Sequence, residues 1–101
     1  MTLKEIQTLI ARTYGSRDAA RGREGTFLWF IEEVGEFAQA LRLGTKTSAS
    51  EEAADVLAWL LSLANLEGID VEEAFRTKYG RGCSRCGRVP CACADPTASR
   101  R

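Results

Sequence analysis

Apolar residues recur three and four positions apart along most of this chain, the spacing of helices that bury one face. The pattern begins after Thr2, whose spacing to Glu5 is that of a capping box, and we predict a first helix over residues 3–13. The next stretch, GSRDAARGREG, holds three glycines among alternating charges. We predict an exposed loop there, over residues 15–25.

A second helix is predicted over residues 26–43, ended by Gly44. Its apolar residues fall on one continuous arc: Phe27, Phe30, Ile31, Val34, Phe37, Ala38 and Leu41. Ser48 and Glu51 have capping-box spacing and predict the start of a third helix, which Gly68 ends.

Asp70 and Glu73 repeat the start signal for a short last helix over residues 71–78. The remainder, GRGCSRCGRVPCACADPTASRR, is glycine-rich and basic and has no apolar periodicity. Helices joined by short connections pack antiparallel, so we expect an all-α fold, a four-helix up-and-down bundle. The bundle domain should cover residues 1–79 and a cysteine-rich basic tail residues 80–101.

The distribution of charged residues separates the same two parts of the chain, the helical domain and the cysteine-rich tail. Residues 1–75 carry 7 basic and 13 acidic side chains, whereas residues 76–101 carry 7 basic and 1 acidic. An acidic domain is a poor general binder of nucleic acid, because affinity for phosphates rises with the number of cationic contacts. No apolar run approaches the roughly 20 residues that cross a bilayer, and MTLKEIQTLI lacks the layout of a signal peptide, so we expect a cytoplasmic protein without membrane contact.

Two acid pairs stand beside the predicted core. Glu33 and Glu36 lie three residues apart at the edge of the second helix's apolar arc, and Glu52 and Asp55 have the same relation on the third helix. Four carboxylates between two packed helices would repel one another and would be costly to desolvate, unless a divalent cation such as Mg²⁺ neutralises them. The alternative is a solvated helix face, the ordinary state of charged residues on surface helices.

The acids also carry a family resemblance. EEVGE, residues 32–36, followed after 15 residues by EAAD, residues 52–55, resembles the EExxE...ExxD pattern of MazG-like nucleotide pyrophosphohydrolases, which are all-α. The resemblance extends over residues 24–78. It implies a metal-dependent hydrolase, using Mg²⁺ or Mn²⁺, that cuts a nucleoside triphosphate between the α and β phosphates. It also implies a homodimer or a dimer of dimers.

The resemblance implies roles for individual residues. Glu33, Glu36, Glu52 and Asp55 would be the metal ligands, and Glu32 would have a supporting role near the metal or the attacking water. Related phosphoribosyl-ATP pyrophosphohydrolases and a non-enzymatic binding module with a zinc tail remain alternatives. The base, the sugar and the cellular role stay open.

Three further residues are candidates for substrate binding. Trp29 and Trp59 lie on the same helix edges as the acid pairs, where they would stack on a base or else serve as core or interface aromatics. Lys78 would reach substrate phosphates, or else complement the dipole at the end of the last helix.

The tail contains a second candidate metal site. Cys83, Cys86, Cys91 and Cys93 have C-x2-C and C-x-C spacing, with glycine and proline between them to turn the chain. Four thiolates arranged tetrahedrally are a structural zinc site, which can organise a segment that has no core. Reduced thiols without a metal and an adventitious site are the alternatives.

Overall fold

The computed structural model describes residues 1–94, and within them all regular secondary structure is α-helical. The helices are α1 (Leu3–Arg21), α2 (Arg23–Leu43), α3 (Lys46–Glu67) and α4 (Val71–Tyr79). The prediction of an all-α fold with four helices is confirmed. None of the helices in this part of the chain is both long enough and apolar enough to cross a bilayer.

The helices fall into two units. Residues Met1–Asp70 form the first, in which α3 packs along α2 and, less extensively, along α1. The second unit begins at Val71 and contains α4 and the cysteine segment. The acid pairs and both tryptophans therefore belong to the first unit.

The first helix is longer than predicted. Its capping box is confirmed, since Glu5 N donates to Thr2 Oγ1 (3.1 Å) and Thr2 N donates to Glu5 Oε1 (2.7 Å). The predicted loop over residues 15–25 is wrong, because α1 continues to Arg21 and α2 starts at Arg23. Gly22 alone separates the two helices. Its backbone has φ 86° and ψ 170°, a conformation that glycine adopts without strain.

The start of α3 also differs from the prediction. The capping box is formed by Thr45 and Ser48, with Ser48 N donating to Thr45 Oγ1 at 3.1 Å, and not by Ser48 and Glu51. Thr45 follows directly on Gly44, the predicted end of α2, so the connection needs no further residues. The end of α3 at Gly68 is confirmed, and Gly68 has the left-handed conformation (φ 67°) common at helix ends.

Polar side chains hold α1 against the end of α3. Gln7 is buried, and its Nε2 donates to Asn65 Oδ1 (3.0 Å) and to the carbonyl oxygen of Ile69 (2.7 Å). Asn65 Nδ2 returns a hydrogen bond to the Gln7 carbonyl oxygen (3.2 Å). These bonds satisfy buried amide groups that would otherwise destabilise the unit.

The chain alone leaves much of its apolar surface uncovered. Leu61 and Ala64 of α3 are buried, but four residues of the predicted apolar arc of α2 are exposed to solvent: Phe27, Ile31, Val34 and Leu41. Phe27 and Ile31 each retain 49% of their accessible surface. The arc predicted as core is therefore covered only in part by residues 1–94.

Candidate active site

Three glutamates meet between α2 and α3. One carboxylate oxygen from each of Glu33, Glu36 and Glu52 lies within 4.8 Å of the other two. Glu33 and Glu36 share a face of α2 because they are three residues apart, and the packing of α3 along α2 brings Glu52 to them. Acids from two helices thus form one cluster.

Two oxygens of this cluster lack the partners that buried carboxylates need. Oε2 of Glu33 and Oε2 of Glu52 are buried, and neither has a hydrogen-bond partner within residues 1–94. Desolvation, together with the charges of Glu36, Asp55 and Glu52, raises the pKa of Glu33 to about 7. Desolvation also raises the pKa of Glu52, assisted by the charges of Glu36 and Asp55. A hard divalent cation would supply the missing partner for both oxygens, so this donor set fits Mg²⁺ or Mn²⁺.

Asp55 and Glu32 lie outside the group of three. Asp55 lies three residues after Glu52 on α3, and its charge contributes to the raised pKa of both Glu33 and Glu52. Glu32 is exposed on α2. The roles that the resemblance implies for Asp55 and Glu32 stay predictions.

The two tryptophans contact each other. Their rings are stacked, with centroids 5.8 Å apart and planes 13° apart. The Arg21 guanidinium carbon lies 4.8 Å from the Trp59 ring centroid, a cation–π contact. Trp29 remains 46% exposed, so of the two it has the ring surface that a base could reach.

A pocket of about 230 Å³ lies beside the acid cluster. Its lining consists of Tyr14, Arg17, Asp18, Arg21, Asp55, Ala58, Trp59 and Ser62. Asp55 and Trp59 therefore connect the pocket to the acids and to the stacked rings. The pocket lies between α1 and α3, within the first unit.

Asp18 and Arg21 form an ion pair in this pocket, in which Asp18 is buried and Arg21 is half-buried. Asp18 is 3% exposed, and its Oδ1 accepts from Arg21 Nη1 at 2.9 Å. Arg21 Nη1 also donates to Oγ1 of the buried Thr26 (3.2 Å), so the guanidinium is fixed where it contacts Trp59. Asp18 Oδ2 is buried and has no partner in the described part of the chain.

Asp18 is a pocket residue that the sequence pattern does not single out, because the glycines and charges of residues 15–25 indicate a loop. A signal was present: Ile10, Tyr14 and Asp18 continue the helical spacing of four through Gly15. Gly15 lies within α1 and therefore does not end the helix. A Cβ at this position would meet no other atom within 4 Å, so packing does not require glycine there.

Lys78 and the four cysteines belong to the second unit. Lys78 Nζ lies 5.6 Å from the Tyr79 ring centroid, and its predicted contact with phosphate stays a prediction. The Sγ atoms of Cys83, Cys86, Cys91 and Cys93 all lie within 4.8 Å of one another. Residues 1–94 therefore contain two groups of metal-ligand side chains, one of oxygens and one of sulfurs.

Comparison with known proteins identifies the family of this chain. A model of the MazG nucleotide pyrophosphohydrolase domain matches residues 21–87, which include α2, α3 and all five acids of the motif. The dATP/dGTP diphosphohydrolase of Cyanophage S-2L is 38% identical over 77 residues, covering 76% of this chain and 70% of that protein. The chain therefore belongs to the MazG nucleotide pyrophosphohydrolase family and is a nucleoside triphosphate pyrophosphohydrolase.

Proposed function

We propose that this enzyme hydrolyses deoxynucleoside triphosphates between the α and β phosphates, with Mg²⁺ or Mn²⁺ held by Glu33, Glu36 and Glu52. The observation that carries the proposal is the pair of buried, unpartnered oxygens, Oε2 of Glu33 and Oε2 of Glu52, in a cluster of three carboxylates. Such a cluster is unfavourable by itself, because desolvation and like charges both oppose ionisation. Cation binding removes both penalties.

The bound ion would supply positive charge to the triphosphate and acidity to a water molecule. Water attacks the α phosphorus, a new phosphorus–oxygen bond forms, and the bridging oxygen leaves with pyrophosphate. Asp55 lines the pocket and its charge contributes to the raised pKa of Glu33, so Asp55 would serve as a further ligand of the ion or as the group that accepts the proton of the water.

The pocket beside the acids is the proposed nucleoside site. It opens next to Asp55 and Trp59, and the exposed ring of Trp29 offers an apolar face for a base. The Asp18–Arg21 pair acts as a positioning element, because it fixes the guanidinium against Trp59. The name of the cyanophage relative makes purine deoxynucleoside triphosphates the first candidates as substrates.

A homo-oligomer, a dimer or a dimer of dimers, is part of the same proposal. The exposed arc of α2, with Phe27, Ile31, Val34 and Leu41, is apolar and continuous. Apolar surface of this kind is stabilised by burial against a second copy of the same face.

The test is product analysis with purified protein, each of the four deoxynucleoside and four ribonucleoside triphosphates, and Mg²⁺. We expect monophosphate and pyrophosphate in equal amounts, and ¹⁸O from labelled water in the monophosphate, because attack occurs at the α phosphorus. The Glu36→Gln variant should lose at least roughly a hundredfold in rate, the scale of losing an electrostatic catalytic group. The Glu51→Gln variant, which changes the exposed glutamate next to Glu52 in the sequence, is the matched control.

Two results would contradict the proposal. Diphosphate and phosphate as products would place the cleavage at the wrong bond. Equal activity in Glu36→Gln and wild type, or activity without any divalent cation, would show that the carboxylate cluster does not hold a catalytic metal.

A further inference from the structure

The cysteine segment has little to hold it in a defined shape apart from its sulfurs. Within residues 80–94 the one large aliphatic side chain, Val89, is 82% exposed. A segment without buried apolar surface cannot offset the conformational entropy that is lost on folding. The convergence of four sulfur atoms in such a segment therefore calls for another source of stability.

The sulfur positions have the dimensions of a tetrahedral metal site. All four Sγ atoms lie within 4.8 Å of one another, and Cys83 Sγ and Cys93 Sγ are 3.8 Å apart. In a zinc tetrathiolate with bonds of about 2.3 Å, neighbouring sulfurs are separated by about 3.8 Å. Binding of one ion at the centre of the four sulfurs would therefore require only a small shortening of the longer Sγ–Sγ distances.

The backbone around the first cysteine pair is shaped as a tight turn. Gly87 N donates to the Cys83 carbonyl oxygen (2.8 Å), and Cys83 N donates to the Arg88 carbonyl oxygen (3.1 Å). Gly82 and Gly87 have positive φ angles (115° and 69°). A Cβ at Gly82 would lie 2.7 Å from the Arg88 carbonyl oxygen, so the close approach requires glycine there.

Backbone amides also point at the sulfurs. Cys83 Sγ accepts from Arg85 N (3.4 Å), Cys86 Sγ from Ala92 N (3.3 Å) and Cys91 Sγ from Cys93 N (3.4 Å). Hydrogen bonds of this kind orient ligands and stabilise negative charge on them. Arg81, Arg85 and Arg88 add positive charge within the same segment, which is favourable beside a dianionic tetrathiolate site.

We propose that Cys83, Cys86, Cys91 and Cys93 bind one Zn²⁺ ion in a tetrahedral tetrathiolate site that folds residues 80–94. Soft thiolate ligands in this geometry select zinc over Mg²⁺, so the site is chemically separate from the carboxylate cluster. Residues 91 and 93 also lie beyond the 21–87 range that matches the family domain. The zinc site therefore extends beyond the range that matches the MazG domain, and its thiolate ligands are separate from those of the proposed catalytic metal.

The experiment measures metal content in full-length protein without a tag, purified under reducing conditions. The chain contains no histidine, so sulfur and carboxylate are its metal-binding side chains. We expect about one zinc per chain by elemental analysis, as one tetrathiolate site requires. Replacement by Co²⁺ should give the intense visible bands and sulfur-to-cobalt charge-transfer absorption of a tetrahedral thiolate site.

Variants identify the ligands. Cys86→Ser and Cys91→Ser should each lose most of the zinc and the cobalt spectrum, whereas Ser84→Ala, within the same turn, should keep both. A Glu33→Gln/Glu52→Gln double variant should also keep both, because it changes only the carboxylate cluster. Retention of zinc in that variant together with loss of hydrolysis would separate the two sites.

Absence of zinc after reconstitution, together with four freely reactive thiols, would overturn the proposal. A mass four daltons below that of the reduced chain, which indicates two disulfides, or iron bound in place of zinc would overturn it as well. So would zinc that survives in Cys86→Ser and disappears in the Glu33→Gln/Glu52→Gln double variant.

Discussion

Glu33 on α2 and Glu52 on α3 have carboxylate oxygens within 4.8 Å of each other, and each has a buried oxygen without a hydrogen-bond partner within residues 1–94. The two residues are 19 positions apart in the chain and meet because α3 packs along α2. Because these two carboxylates are close together and partly desolvated, their ionised forms are unfavourable in the absence of a cation.

Stability without divalent cations should fall as the pH rises. Folding raises the pKa of Glu33 from 4.5 to about 7. Between these two pH values the Glu33 carboxyl therefore binds its proton more tightly in the folded protein than in the unfolded chain. The stabilising effect of the protonated carboxyl is complete below pH 4.5 or so and is lost as the pH passes through about 7. Melting temperatures from pH 5 to pH 8.5, in buffer without added divalent cations, should show this decline.

Glu33→Gln tests the assignment of that pH dependence. Glutamine cannot ionise, so the variant should have a flatter melting-temperature profile and should be more stable than wild type at pH 8. Glu51→Gln, an exposed control, should keep the wild-type slope. Parallel profiles for wild type and Glu33→Gln would show that another group causes the decline.

Mg²⁺ should stabilise the folded protein at pH 8. A ligand at a hundredfold excess over its dissociation constant adds about 2.7 kcal/mol to the free energy of unfolding. The Glu36→Gln and Glu52→Gln variants should show a smaller shift in melting temperature at the same Mg²⁺ concentration. A full shift in either variant would place the bound Mg²⁺ elsewhere.

Loss of the Asp18 charge should weaken substrate binding more than it slows the reaction. In Asp18→Asn the guanidinium of Arg21 loses its buried partner, so the support of Trp59 in the pocket becomes weaker. We expect KM to rise roughly tenfold while kcat changes little, because the residue does not contact the acid cluster. The free energy of unfolding should fall by about 1–3 kcal/mol, the scale of a charged hydrogen bond.

Glu24→Gln is the control for Asp18. It removes an ion pair with Arg23 that is exposed to solvent, Oε1 to Nη2 at 3.0 Å, so neither stability nor KM should change measurably. An Asp18→Asn variant with reduced stability but wild-type KM would limit Asp18 to a structural role.

A charge on the exposed face of α2 should prevent assembly. Ile31→Glu places a carboxylate in the middle of the apolar arc, and light scattering after size exclusion should give the mass of one chain. Leu43→Glu changes a more exposed leucine on another side of α2 and should leave the oligomer intact. A wild-type protein that is already monomeric at micromolar concentration would contradict the proposed assembly.

The helices and the acid positions were largely predictable from sequence. Spacing of three residues placed Glu33 beside Glu36, and caps such as Thr2 and Gly68 fixed helix ends, since both are local effects. The pocket was not predictable, because glycines and charges in residues 15–25 resemble a loop while only Gly22 has the conformation of a break. The exposure of Ile31 depends on what covers the helix, which periodicity does not encode.

The most direct test of the catalytic proposal is to locate the metal. Crystals grown with Mn²⁺ and a non-hydrolysable deoxynucleoside triphosphate analogue, measured for anomalous scattering, should show a peak at about 2.1 Å from oxygens of Glu33, Glu36 and Glu52. The triphosphate should lie next to that peak, with its α phosphate towards Asp55. A well-ordered nucleotide with no anomalous peak at these carboxylates would contradict the central claim.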